Sequence, residues 1–464
     1  MPSTLSKILL TACVVVACGS RTSSLVRVDL EPEGANCLEG GLAIHTGVDT
    51  NNNRELEDGE IADTEYLCND SGSEVACTGG TIVVGTQTVR TAADADALAG
   101  VNCINGDLLI AGSDLGALDT LADLAIVTGD VVIAGNSELT SLDGLASLRD
   151  VGQTYLLQGN PLITDLAAVG KLRRAAQISI IGNDGLVDLR GLETFIDLDP
   201  VLTIANNGSL ASLAGLDSLT TAQRNVLIRG NRSLVSTAAL ANLRSVHLLE
   251  INANPALAQL DLVGLQKVDS RLIITTNPAL TAIELPALLT LGDFIQVQTN
   301  AALTSISAPN LITASHVLLT NNTSLVTVDM PALVLTSGRI ELVTLPRLTT
   351  LGLGLLSSNG EGLTINGTTQ LASLAGLGSL SSIGGSLLVT KADALRNFTG
   401  LEQLEVVFGD MTIANNAQLA RFTGLGAFGE VGNNLTITSN PLLPLSVSSS
   451  FASGITVRGA TTIE

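Results

Sequence analysis

The chain reads as an all-β protein: a parallel β-helix solenoid of about sixteen coils, preceded by a small cysteine-bearing module. Two observations carry that reading. Asparagine recurs at intervals of 22 to 24 residues, at Asn136, Asn160, Asn183, Asn207, Asn231, Asn254, Asn277, Asn300 and Asn322, then at Asn416 and Asn440. A fixed period between about 20 and 50 residues marks a stack of repeats. Each asparagine also follows a short apolar-x-apolar run and precedes leucines spaced three apart, as in Val131 through Leu148. One such coil cannot bury its own leucines, whereas stacked coils share a continuous core.

Within each coil the apolar-x-apolar run is a strand and the asparagine marks the turn after it. Backbone groups point into the core at that turn. An asparagine side chain offers two donors and an acceptor to satisfy them. At one register position in successive coils these side chains form a ladder. Between Asn322 and Asn416 the place is taken by Leu345, Thr368 and Ala392. After the turn, two coil types follow. One reads Leu-x-Gly-Leu-x-x-Leu, from Leu142, Leu213 and Leu374; the other reads Ile/Val-x-x-Pro-x-Leu, from Ile283, Ile306 and Val328. Glycine and proline punctuate the turns. The strands run from Leu108 to Ile455, and at about 4.8 Å per strand they make a rod about 75 Å long.

Gly106-Asp107-Leu108-Leu109-Ile110, the asparagine turns and the Leu-x-Gly-Leu continuation resemble the receptor L-domain superfamily over about residues 81–464. That superfamily includes the ligand-binding L domains of insulin-type receptors and fungal cell-wall proteins. The resemblance implies a right-handed parallel β-helix with leucine-rich-repeat-like coils. Animal receptors separate two L domains by cysteine-rich modules. This chain has one uninterrupted array, so signalling is not carried over.

Before the solenoid, residues 1–18 read as a lipoprotein signal peptide. Lys7 precedes the apolar run Ile8 to Ala17, which is too short to span a bilayer. Val15-Val16-Ala17-Cys18 looks like a lipobox, with Cys18 as the lipidated residue. Cys13 fits the local pattern but leaves almost no apolar run ahead of it. Gly19 is not the aspartate associated with inner-membrane retention, so an outer-membrane or cell-surface anchor is expected. Residues 19–36 read as a linker.

Setting aside Cys13 and Cys18 leaves Cys37, Cys68, Cys77 and Cys103, an even number in an exported chain. Such a count points to disulfides. Of three possible pairings, Cys37–Cys68 and Cys77–Cys103 each close a distinct segment. Residues 37–70 form an acidic module; the stretch 28–74 holds 13 Asp and Glu against one Arg. Within it, residues 49–60 match a twelve-residue EF-hand-type calcium loop. Asp49, Asn51 and Asn53 supply side-chain oxygens, Glu55 its carbonyl, Glu57 a direct or water-bridged ligand and Glu60 a bidentate carboxylate. Hard oxygens crowded on one loop suit Ca²⁺. The departure is Arg54, where glycine normally makes the sharp turn.

Residues 71–105 read as a junction and N-terminal cap, with a short helix started by Thr91. The solenoid proper is expected over 106–464, with Ile455 to Val457 as its last strand and no recognisable C-terminal cap.

Little catalytic chemistry is visible. His45, His247 and His316 are far apart in sequence, and there is no H-E-x-x-H, G-x-S-x-G or phosphate loop. With a net charge of −22, no Trp and two Tyr, the chain lacks the basic stripe and stacking platform of nucleic-acid binders. The expected function is a non-enzymatic surface scaffold that binds a protein or a polysaccharide. A polysaccharide-processing β-helix enzyme is the alternative. The expected binding face is the outward strand centres before residue 320: Val132, Leu156, Leu227, Ile273 and Leu318. Exposed apolar surface of this kind marks interaction sites.

Overall fold

The computed structural model describes residues 24–31, 34, 36, 37, 41–48, 50, 56–68 and 75–464. Two units follow each other: a three-stranded antiparallel sheet, then a parallel β-solenoid of about 17 turns.

In the first unit β1 (Ser24–Glu31) pairs with β2 (Gly41–Val48), which pairs with β3 (Ile61–Cys68). The expected linker over 19–36 is therefore corrected, because Ser24–Glu31 within it form a strand. The signal was present: Val26, Val28 and Leu30 alternate with Arg27, Asp29 and Glu31, the period of a strand with one buried face. The span 49–60 connects β2 to β3.

The solenoid's main sheet begins one coil earlier than expected, at Gln87–Val89, inside the segment read as cap. It ends at Thr461–Ile463, whose centre Thr462 stacks on Thr436. The expected last strand, Thr456–Val457, instead pairs with Glu430–Val431 in the second sheet. The last coil thus carries two β-strands, Thr456–Val457 and Thr461–Ile463, where the apolar spacing predicts one.

Each coil has three sides. The main-sheet strand comes first, then the asparagine turn. The third side depends on sequence. Where Leu-x-Gly-Leu occurs the backbone turns tightly, with one 3-10 turn at Asp143–Leu145 and Ala375–Leu377 and a plain turn after Leu213. A Cβ on Gly144 would collide with the Leu118 carbonyl of the coil before, so glycine is needed there. Where Ile/Val-x-x-Pro occurs, Ala282–Glu284, Ser305–Ser307 and Thr327–Asp329 form a short parallel sheet instead, which Thr350–Gly352 extends without a proline. A two-residue strand of the second sheet then leads back to the main sheet.

Both terminal coils put an α-helix on the third side: α1 (Ala92–Asp96) and α2 (Leu445–Ser453). Thr91 caps α1 as expected, its hydroxyl accepting the Asp94 N–H. The α2 cap was missed. It brings Phe451 onto Phe422, 4.1 Å between centroids, and Phe422 stacks on Phe398 at 5.8 Å. The aromatic rings replace the leucine layers where the stack ends. In that coil Leu443 is the inward residue, while Leu442 and Leu445 are exposed.

The ladder is present. All eleven asparagines are buried. From Asn160 onward to Asn322, each side-chain oxygen accepts the backbone N–H of the ladder asparagine one coil before, at 2.9–3.2 Å. Each amide nitrogen donates to the carbonyl of an inward strand residue of the preceding coil, such as Ile228 for Asn254. Ser113 begins the ladder, giving both its N–H and its hydroxyl to Asn136. The residue ahead of each rung is left-handed. All nine non-glycine residues with positive φ among the described residues stand there, including Ala253, Thr276 and Thr299.

A second ladder was not anticipated. Asp107 Oδ1 accepts the Asp130 N–H at 3.0 Å, and Asp130 Oδ1 accepts the Thr154 N–H at 2.8 Å. Asp410 and Asn434 repeat the arrangement near the other end, with Asn434 Oδ1 accepting the Ala460 N–H. Gly-Asp pairs precede three of these strands, at Gly106-Asp107, Gly129-Asp130 and Gly409-Asp410.

Candidate functional site

In the first unit Leu56, between the two halves of the loop, is buried. Glu60 turns its carboxylate back across the loop: Oε1 accepts from the Thr50 N–H (2.7 Å) and hydroxyl (2.6 Å), and Oε2 from the Glu57 N–H (3.2 Å). Arg27 ties β1 to the same loop, donating to the Leu56 carbonyl and the Asp58 carboxylate. Asp49, Asn51, Asn53 and Glu55 lie outside the described residues, as does Cys18. The Cys77–Cys103 disulfide is formed. Cys37 is also disulfide-bonded; the side chain of its expected partner, Cys68, lies outside the described residues.

The expected apolar binding face divides in two. Val132 and Leu156 are 0% exposed and, with Ala134, make a small cluster on the outside of the main sheet. β1 lies against the strand Val131–Ala134. These two residues are removed from the candidate face, because packing closes it there.

Beyond the covered coils the outward face opens, and its composition differs from the expectation. Strand register aligns Leu227, Glu250, Ile273, Gln296, Leu318 and Glu341 in one column. Apolar and polar residues alternate at every step. Leu227, Ile273 and Leu318 are each half-buried and separated by hydrogen-bonding side chains. The face is a mixed surface, not a continuous apolar patch.

Its polar members are held in place. Arg229 and Glu250 form an ion pair at 2.6 Å, with side chains 20% and 13% exposed. Both are partly desolvated, unlike the partners of an ordinary exposed surface pair. Thr275 donates to Asn252 Oδ1 at 3.0 Å alongside. At the start of the strands Arg271 pairs with Asp293 (3.1 Å) and lies 5.0 Å from the Phe294 ring centroid. Arg339 pairs with Glu341 at 3.0 Å.

His316 sits among these charges. Its Nδ1 accepts the Arg339 N–H at 3.0 Å, which leaves Nε2 to carry the proton on the neutral ring. Nε2 is 4.0 Å from Asp293 Oδ1, beyond hydrogen-bond reach. The geometry orients a histidine without assembling a hydrogen-bonded acid–base pair. Sequence spacing could not show this cluster, since its members come from four different coils.

Residues 23–68 match a family described as a domain of unknown function, DUF7151. No curated protein matches the chain. Among solved structures, a leucine-rich repeat protein from Bacteroides ovatus is 13% identical, with a TM-score of 0.26 over 82% of this chain and 92% of that one. A chain of the TLR13–ssRNA13 complex is 14% identical, with a TM-score of 0.24 over 78% of this chain and 66% of that one. The solenoid description rests on this chain's own strand register.

Proposed function

We propose that the protein is a binding scaffold, exported and lipid-anchored through Cys18, whose main-sheet face takes a protein ligand. One observation carries the reading: the register column from Leu227 to Glu341, in which half-buried aliphatics alternate with anchored polar groups. A protein surface offers the same mixture, and specific interfaces combine apolar anchors with a comparable density of hydrogen bonds. Partly buried Arg229 and Glu250 are already ordered, so less side-chain entropy is lost on contact. The acidic unit in front, with its candidate Ca²⁺ loop, is a separate element of the scaffold. The overall charge of −22 disfavours a nucleic-acid partner.

The test is capture of surface proteins from intact cells by the full chain, followed by affinity measurement with the captured partner. Leu227→Glu and Ile273→Glu should weaken binding, while Thr412→Glu and Thr436→Glu should not. Equal affinity for all four variants would refute this face as the contact surface. Turnover of a polysaccharide would put the enzyme reading in its place.

A further inference from the structure

A concavity of about 290 Å³ lies where the second sheet bends toward the main sheet, ahead of the main-sheet strands and apart from the strand-centre column Leu227–Glu341 in its lining. Lys267 and Asp269 form an ion pair at one end of it. Ser337 donates its hydroxyl to Ser315 at 3.0 Å, and Ser315 donates to the Gly292 carbonyl. Buried Val268, Leu291 and Ala314 underlie it, and exposed Leu335 forms part of its lip.

Strand register carries this groove onward along the rod. The outward position held by Asp269 and Ser337 falls, three coils past Ser337, on Phe408. Phe408 is 58% exposed and has no ring partner among the described residues. The coils on either side of it carry Gly384 and Gly432 at the same position, so no side chain there covers either face of the ring.

We propose that this groove binds a linear, neutral polysaccharide lying along the rod, with one sugar in the concavity and another stacked on Phe408. The chemistry matches part by part. Asp269 and the serine hydroxyls accept and donate to sugar hydroxyls, and Lys267 donates. The apolar floor and the open phenyl ring meet the C–H faces of pyranose rings. Three coils separate Ser337 from Phe408, about 14 Å, a span for a polymer and not for a single sugar. The strip is one side chain wide, far short of the roughly 800 Å² per partner of a stable protein interface. Lys267, the one cation lining the concavity, is paired with a carboxylate, which disfavours an acidic polymer.

The test is native affinity electrophoresis of the full chain through gels containing xylan, mannan, β-1,3-glucan or hydroxyethyl cellulose, with polygalacturonate as the acidic comparison. At least one neutral polymer should retard the protein. Phe408→Ala should weaken that retardation by about tenfold, the loss of one stacking contact. Ser337→Val should weaken it as well, and Val235→Ser, on the exposed third side, should not. Circular dichroism confirms that each variant is folded. Retardation by polygalacturonate alone, by no polymer, or equally for wild type and Phe408→Ala would overturn the proposal. None of these outcomes bears on the Leu227–Glu341 face.

Discussion

Replacing Asn254 by alanine removes one rung from the middle of the ladder. Its amide nitrogen donates to the Ile228 carbonyl at 3.0 Å, and its oxygen accepts the Asn231 N–H at 3.0 Å. The side chain is 0% exposed. Alanine can make neither bond, and water has no route to the vacated groups. Each orphaned buried group costs about 1–3 kcal/mol, so the two together cost about 2–6 kcal/mol. The bond to the Asn252 carbonyl is only part-buried and adds little. Asn310→Ala is the control. Asn310 also bonds a carbonyl of the preceding coil, that of Pro286 at 2.7 Å, but it is exposed. Water replaces that bond, and the change should stay within about 0.5 kcal/mol. Urea melts give the two stability changes, and hydrogen exchange at the Asn231 amide reports the rung directly. Equal melts, or an Asn231 amide still fully protected in Asn254→Ala, would refute the ladder as a source of stability.

Four further expectations concern other parts of the chain. The Asp130 carboxyl is raised from 3.8 to about 6, chiefly by burial, with Asp107 adding to the rise against the Thr154 N–H. Its folded value therefore exceeds the unfolded one, and stability falls as pH rises from about 4 to about 6. Asp130→Asn should reproduce the Asp410–Asn434 pair and gain about 1–3 kcal/mol at pH 7.5 but little at pH 4, as read by melts at both values; equal gains at both would contradict it. Thr276 is β-branched in a left-handed conformation with φ of 58°, so Thr276→Gly should raise thermal stability by about 1 kcal/mol; a loss would show that the turn imposes no strain. Calorimetry on the full chain should detect one Ca²⁺ site that Glu60→Gln weakens, and absence of heat at millimolar Ca²⁺ would leave an acidic hairpin only. A clickable fatty acid should label the wild type but not Cys18→Ala; label lost in Cys13→Ala instead would move the anchor.

What the sequence determined by itself is the repeat. Leucine spacing and the buried amide at each turn are local, nearly invariant demands. A coil that misses either leaves its neighbour with a hole or an unpaired backbone group. That is why Asn136 through Asn440 were legible, and why the glycine and proline coil types translated into tight turns and short strands. The same logic failed where the repeat stopped. The α2 cap and the Phe398–Phe422–Phe451 stack obey the needs of an end layer, which no internal coil displays. Tertiary structure alone decided which outward positions are open. Val132 and Leu227 occupy equivalent strand centres, yet β1 lies against the strand of the first, and the second remains half-exposed. It also decided that Leu227, Ile273 and Leu318 alternate with Glu250, Gln296 and Glu341 across coils, and that Phe408 continues the line of Asp269. Contacts between residues 23 or more positions apart depend on strand register, which hydrophobic spacing along one strand does not encode.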